Sequence, residues 1–185
     1  MSRLSTFQFL TLNGFYKGPD EDTSWHRHGG EESEFASEGA QSGSILLFGR
    51  TTYDMMASWW PTAQAKAAMP GVAKGMNESQ KIVVSRSLKK ASWQNTRIMN
   101  DLLPGIRQLK QESANDITLL GSGSILTQLA GAGLIDVYQF MIDPVALAQG
   151  TTILQGLEHP LNLQLTSHRV FNSGVVLLTY EPLKN

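Results

Sequence analysis

A glycine-rich turn between an apolar strand and an apolar helix is the stretch of this sequence best suited to bind an anion. Residues 117–120 predict a buried strand, and Gly121-Ser122-Gly123-Ser124 leads into the helical pattern of Ile125, Leu126 and Leu129. The first turn of a helix has N–H groups without intrahelical partners, and its dipole favours negative charge. Glycine lets a phosphate approach the backbone. Taken alone, the motif fits a phosphate site and a plain tight turn equally well.

Two other predicted strands end in residues of the same chemical kind. Gly49-Arg50-Thr51-Thr52 follows the apolar strand at 45–48, and Ser85-Arg86-Ser87 follows the next apolar strand. Arginine suits bidentate phosphate recognition, and Ser85 and Ser87 add two hydroxyl groups. Ligands of parallel sheets bind beyond the carboxyl ends of the strands. Together the three ends predict a site for a ligand with several phosphates.

The elements that must position these ends follow a regular order. From residue 45 to 142 the patterns alternate strand and helix, which predicts right-handed crossovers and a mostly parallel sheet. A first strand is expected over 4–12, and the alternating residues 161–180 predict a C-terminal antiparallel hairpin. Thr51 and Asp54 have the spacing of a capping box. The expected fold is α/β, with three layers and helices on both faces of the sheet.

Composition narrows the functional classes. The 185 residues predict a single domain over 1–185, and 41% hydrophobic residues suit a folded core. A net charge of −1 disfavours nucleic acid or an anionic membrane as partner, and the absence of cysteine excludes thiolate chemistry. No signal peptide or membrane-spanning run is recognisable, so we expect a cytoplasmic protein. His26 and His28 could suggest a metal site, but a solvated loop without metal is the preferred interpretation.

The order and spacing of several short motifs resemble one known family. The segments FGRTTYDMM, KIVVSRSL and ITLLGSGSILTQL are similar to those of dihydrofolate reductase-like proteins. More narrowly, they resemble the reductase domain at the C-terminus of the bifunctional riboflavin-biosynthesis deaminase/reductase and its stand-alone relatives. Thr11-Leu12-Asn13-Gly14, His28-Gly29-Gly30 and residues 171–175 fit the same family, so the resemblance covers nearly the whole chain.

The resemblance implies NADPH as the hydride donor. Gly49 to Thr52 would contact its phosphates, Ser85 and Arg86 its adenosine 2′-phosphate, and the turn at 121–125 its pyrophosphate and nicotinamide side. Thr11 to Gly14 would lie beside the nicotinamide ring. The expected cofactor-binding residues are Thr11, Asn13, Gly14, Gly49, Arg50, Thr51, Thr52, Ser85, Arg86, Ser87, Gly121, Ser122, Gly123, Ser124 and Ile125.

One acidic residue of dihydrofolate reductase promotes protonation of the substrate from the helix before the second strand. The corresponding region of this chain contains four candidates, of which Glu34 is chosen, with Glu31, Glu32 and Glu38 as alternatives. The preferred interpretation of these acids is a solvated helix face, with at most one of them reaching the pocket.

The predicted function is NADPH-dependent transfer of a hydride to a C=N or C=O of a small heterocyclic substrate, such as a pterin or pyrimidine. The family also suggests a homodimer. Two alternatives stay open: a non-catalytic nucleotide- or cofactor-binding protein on the same fold, and a sugar–phosphate enzyme on a doubly wound sheet, in which Arg86 would not face an adenosine phosphate.

Overall fold

The computed structural model describes residues 1–27 and 29–183 and shows a three-layer α/β fold. Its central sheet has eight strands in the order β5-β4-β3-β6-β1-β7-β10-β9, all parallel except β10, which is antiparallel to both of its neighbours. The strands of this sheet are β1 (Leu4–Thr11), β3 (Ile45–Gly49), β4 (Lys81–Val84), β5 (Thr96–Met99), β6 (Ile117–Leu120), β7 (Val137–Asp143), β9 (Leu163–Val170) and β10 (Val176–Pro182). A separate two-stranded sheet pairs β2 (Phe15–Lys17) with β8 (Thr151–Thr152).

Helices cover both faces of the large sheet, as the alternation of strand and helix predicts. They are α1 (Gly30–Ala40), α2 (Arg50–Trp59), α3 (Ala63–Ala68), α4 (Pro70–Glu78), α5 (Leu102–Glu112) and α6 (Gly123–Gly131). Ile45 and Leu47 of β3 share a core with α5 and α6, whereas Leu46 and Phe48 pack with α2 and α4 on the other face. Among the described residues, no helix is long and apolar enough to cross a membrane.

The central strand β1 buries its polar residues more deeply than its phenylalanines. Thr6 and Gln8 are fully buried, while Phe7 and Phe9 are half-buried in a third cluster that includes Phe35 of α1. Both faces of a central parallel strand are covered by helices, so period-2 alternation does not separate core from solvent there. Gln8 is tolerated because its amide has hydrogen-bond partners.

Several elements differ from the sequence-based expectations. The long polar stretch after residue 17 contains α1, and the patterns of β2 and α4 are too short or too weak to predict these elements. The capping box at Thr51 and Asp54 is wrong. The helix begins at Arg50 with Gly49 as its N-cap residue, no side chain caps it, and Asp54 pairs instead with Arg50 at 2.6 Å.

Candidate functional site

The four strand ends that carry the predicted binding residues lie side by side. Strands β4, β3, β6 and β1 are consecutive neighbours and parallel, so Ser85, Gly49, Gly121 and Thr11 reach the same edge of the sheet. With about 4.8 Å between strands, the row from β4 to β1 spans roughly 14 Å. That length suits an extended ligand with several groups to be held, as the sequence motifs predict.

Two of these ends are helix starts that no side chain caps. In α2 and α6 the N-cap residues, Gly49 and Ser122, make no side-chain hydrogen bond to the first helical turn. Their free N–H groups therefore point toward one edge, where the two dipoles add a positive potential. The guanidinium of Arg50, the first residue of α2, pairs with the carboxylate of Asp54 one turn further along the helix at 2.6 Å. The arrangement is electrostatically suited to an anion.

Ser122 ties the two helix starts together. Its Oγ accepts a hydrogen bond from the N–H of Gly49 at 2.7 Å and donates to Oγ1 of Thr52 at 2.9 Å. Ser122 adopts a left-handed conformation, φ 63° and ψ 60°, which is uncommon for a residue with a side chain. This backbone strain is offset by the two bonds, which set the spacing between α2 and α6.

The glycines at these turns are explained by backbone conformation and close packing, without any ligand. Gly121 has φ +57°, and a Cβ there would lie 3.0 Å from Cγ2 of Thr52. Its carbonyl accepts a hydrogen bond from the buried amide of Gln8 at 2.7 Å. A Cβ on Gly49 would lie 3.1 Å from Cγ1 of Ile125, so Ile125 packs against the neighbouring turn. Gln8 was not predicted; in the sequence it is one of the polar residues that alternate with Phe7 and Phe9 in β1.

The end of β4 presents an exposed arginine on a rigid turn. Ser85 is buried, and its Oγ accepts hydrogen bonds from the N–H groups of Ser87 and Leu88. Arg86 and Ser87 are exposed beside this turn. The Ser85 hydroxyl thus shapes the loop, while the Arg86 guanidinium is the group at this end best able to contact a ligand.

Thr11, Asn13 and Gly14 organise the loop after β1. The Thr11 hydroxyl donates to Oδ1 of Asn13 and accepts from the N–H of Phe15, and Asn13 bonds both backbone polar groups of Leu147. Gly14 has φ +83° and its carbonyl accepts from Ile153. The side chains of Thr11 and Asn13 are therefore occupied in holding the loop.

The four glutamates of α1 divide into two pairs. Glu32 is buried and accepts a hydrogen bond from the hydroxyl of Ser173, and Glu31 accepts one from the N–H of Asn172. These two carboxylates anchor the turn between β9 and β10. Glu34 and Glu38 are exposed and line a groove of about 400 Å³ between α1 and the start of α4. Glu34 thus stays a prediction, and Glu32 is the most buried of the four.

The segment before α1 covers the ends of β1 and β7. The ring of His26 stacks on Trp25 with centroids 4.1 Å apart and meets Phe9 edge-on at 4.5 Å. The N–H of Arg27 donates to Oδ1 of Asp143, which is buried at the end of β7. His26 therefore packs among aromatic rings, whereas His28 lies outside the described residues.

Solved structures of three bacterial proteins share this fold. A protein from Shewanella sp. PV-4 that is assigned to riboflavin biosynthesis has a TM-score of 0.75 and 16% identity over the full length of both chains. A pyrimidine reductase-like protein from Corynebacterium diphtheriae has a TM-score of 0.69 and 11% identity, covering 100% of this chain and 93% of its own.

The third structure is a diaminohydroxyphosphoribosylaminopyrimidine deaminase/5-amino-6-(5-phosphoribosylamino)uracil reductase from Thermotoga maritima. It has a TM-score of 0.72 and 13% identity, and the match covers 98% of this chain but 57% of that protein. Identities this low show a shared fold.

Sequence comparison adds a relative and a family. The uncharacterized protein YyaP of Bacillus subtilis (strain 168) is 26% identical over 171 residues, covering 92% of this chain and 90% of its own. The profile of the RibD C-terminal domain matches residues 4–177, which include all four strand ends of the candidate site. The chain therefore belongs to the RibD C-terminal domain family.

Proposed function

We propose that this protein is an NADPH-dependent reductase that transfers a hydride to a C=N or C=O of a small heterocyclic substrate, with a pyrimidine as the first choice. The observation that carries the proposal is the row of four neighbouring strand ends with two uncapped helix starts and the exposed Arg86. Membership of the RibD C-terminal domain family supports it, because two structural neighbours are named as a pyrimidine reductase-like protein and a uracil-type reductase.

The residues present fit the phosphates of a dinucleotide. The N–H groups at the starts of α2 and α6 would bind the pyrophosphate. Arg86, two strands from the α6 turn, would hold the adenosine 2′-phosphate. Bound NADPH would supply the hydride, while the chain orients the reactants and excludes water.

The first test is cofactor choice. NADPH should quench the tryptophan fluorescence of the protein at concentrations at least about tenfold below those that NADH requires, because a guanidinium–phosphate pair contributes about 1.5–3 kcal/mol. Equal affinities for the two dinucleotides would remove the role assigned to Arg86.

Substitution then localises the preference. Arg86→Ala should weaken NADPH binding far more than NADH binding, while Arg97→Ala, an exposed arginine on β5, should leave both unchanged. A uniform loss for both dinucleotides in Arg86→Ala would mean that Arg86 has a structural role. It would also favour the sugar–phosphate alternative, which needs no adenosine phosphate at this position.

Catalysis separates the reductase from a cofactor-binding protein without activity. NADPH labelled with deuterium at C4 of the nicotinamide should transfer the label to a reducible aminopyrimidine or dihydropterin. Tight NADPH binding without transfer to any substrate of these classes would support the non-catalytic alternative. If Glu34 aids protonation, Glu34→Gln should lower turnover with unchanged NADPH affinity, whereas Glu78→Gln, at an exposed position of α4 outside the four candidates, serves as the control.

We further propose that two copies pair through β9. Within the described part of the chain, this edge strand has no neighbour on its outer side, and its Leu165 and Val170 are 48% and 66% exposed. Unprotected edges favour pairing with another strand, and β9 is eight residues long with its outer backbone groups facing away from β10. Sedimentation should show a dimer, and Leu165→Lys should shift it toward monomer; a monomeric wild type would overturn the proposal.

A further inference from the structure

Tyr16 of β2 lies directly against the first residue of α6. A Cβ placed on Gly123 would lie 2.6 Å from Cζ and 2.8 Å from Oη of Tyr16. Real Cβ atoms essentially never show such contacts, so the ring occupies the space beside Gly123 and would have to move if this residue had a side chain. Gly123 is buried, while Ser124, the next residue of α6, is exposed.

The strand that carries Tyr16 is held in place from both sides. It pairs with β8, and the N–H of Ile153 donates to the carbonyl of Gly14 at 2.9 Å. Lys17 forms an ion pair with Glu21 at 2.5 Å. The ring of Tyr16 also packs against the core shared by α5 and α6. The phenol is therefore presented to the α6 turn by a fixed backbone.

Hydrogen-bond donors meet at this point without an acceptor between them. The N–H groups of Gly123 and Ser124 have no partner among the residues that the structure describes. The phenol hydroxyl of Tyr16 can donate beside them, while Nζ of Lys17 is paired with Glu21. Convergent donors beside a positive helix end suit a ligand that only accepts, such as a phosphate oxygen.

We propose that Tyr16 is a cofactor-binding residue, whose hydroxyl donates a hydrogen bond to the phosphate bound at the start of α6 and whose ring closes that side of the site. The inference rests on the proposed function and adds to it a contact from outside the four strand ends. The aromatic ring also keeps Gly123 away from water, which strengthens the hydrogen bonds that form there.

The test compares two variants of Tyr16 with a distant tyrosine. Tyr16→Phe should weaken NADPH binding about tenfold, because one hydrogen bond to a charged group is lost, and Tyr16→Ala should weaken it more. Tyr180→Phe on β10 is the control and should bind as the wild type does. The melting temperature of ligand-free Tyr16→Phe should be unchanged, while the rise that NADPH produces should shrink.

Each other outcome has one meaning. Wild-type affinity in Tyr16→Phe overturns the inference and leaves the proposed function standing. Tighter binding by Tyr16→Ala also overturns it, since the ring would then obstruct the site. Failure of the wild type to bind NADPH would count against the proposed function, and the inference would fail with it.

A double-mutant cycle tests the contact itself. Gly123→Ala should lower the melting temperature of the wild type and should do so much less in a Tyr16→Ala background, because the added methyl group then has space. Gly131→Ala, at the open far end of α6, is the control, since a Cβ there meets nothing within 4 Å. Equal losses from Gly123→Ala in both backgrounds would show that the ring does not require the glycine.

Discussion

The helix ends at the two edges of the sheet differ in whether their backbone groups have hydrogen-bond partners inside the protein. At the amino edge, Lys81 is buried at the start of β4, and its Nζ donates to the carbonyls of Met76, Asn77 and Ser79 at the end of α4, at 2.7–3.1 Å. The ring of Trp93 covers the same ammonium group at 4.6 Å. This helix end has its partners inside the protein and is closed to solvent.

At the carboxyl edge, α2 and α6 begin without a capping side chain and without an internal anion. The side chains nearest to them, Ser122 and Gln8, bond to the turns rather than to the free N–H groups. The comparison separates a structural helix end from helix ends that are available to a ligand. The hydrogen bonds at the end of α4 are complete and stabilise the fold, whereas the free N–H donors of α2 and α6 are held rigidly and can bind a ligand.

Removal of the Lys81 ammonium should produce the largest effect. Lys81→Met leaves three buried carbonyls without their donor and should lower the free energy of unfolding by about 3 kcal/mol, at roughly 1 kcal/mol for each bond. Lys74 is an exposed lysine of α4, and Lys74→Met should lower the free energy of unfolding by less than about 0.5 kcal/mol. Urea denaturation measures both variants. Equal costs would mean that the end of α4 needs no internal cap.

The pH dependence of stability in the wild type and in Lys81→Met tests the role of the Lys81 charge. Burial lowers the pKa of Lys81 from 10.5 to about 8. Below pH 8 Lys81 is protonated in both the folded and the unfolded chain, so the folded chain bears the full free-energy cost of burying this charge. Between pH 8 and 10.5 the folded chain releases the proton first, so the stability of wild type relative to Lys81→Met should rise. A flat difference over this range would show that the carbonyls offset the burial.

At the carboxyl edge, a carboxylate introduced at the start of α6 should occupy the place of the expected phosphate. Ser124→Asp places a negative charge in the first turn of α6, which should keep or slightly raise stability, by about 0.5 kcal/mol, and weaken NADPH at least about tenfold by like-charge repulsion. Ser124→Asn is the neutral control. Thermal melting and fluorescence titration follow the two properties separately. Unchanged affinity in Ser124→Asp would place the phosphate elsewhere.

A further pair of variants tests the hydrogen bonds of Ser122 between the two turns. Ser122→Ala loses two hydrogen bonds but keeps the left-handed backbone, so it should cost about 1–2 kcal/mol of stability. Ser122→Gly loses the same bonds but relieves the backbone strain, and should be about 1 kcal/mol more stable than Ser122→Ala. Equal stabilities of the two variants, measured by urea denaturation, would argue against strain at this position.

Local sequence patterns were sufficient to predict most of the strands and helices of the sheet. The apolar runs at 45–48 and 117–120 predicted β3 and β6 closely, because a buried parallel strand needs residues that are apolar on both faces. The fold class and the family were also predicted and are confirmed. The pattern failed where contacts between distant residues decide the structure: β2 exists through its pairing with β8, and α4 through packing in which Gly75 lies against Ala40.

The amino-acid sequence by itself determined the α/β order, the glycine turn at 121–124 and the arginines at 50 and 86, because these depend on local periodicity, backbone freedom and charge. Only the tertiary structure decided that β4, β3, β6 and β1 are neighbours, which brings the separate turns to one edge. It also decided the roles of side chains whose partners are remote in the chain. Ser122 bonds Gly49, Gln8 bonds Gly121, and Tyr16 covers Gly123. Such pairings arise from how the strands cross over, and no local pattern in the sequence specifies them.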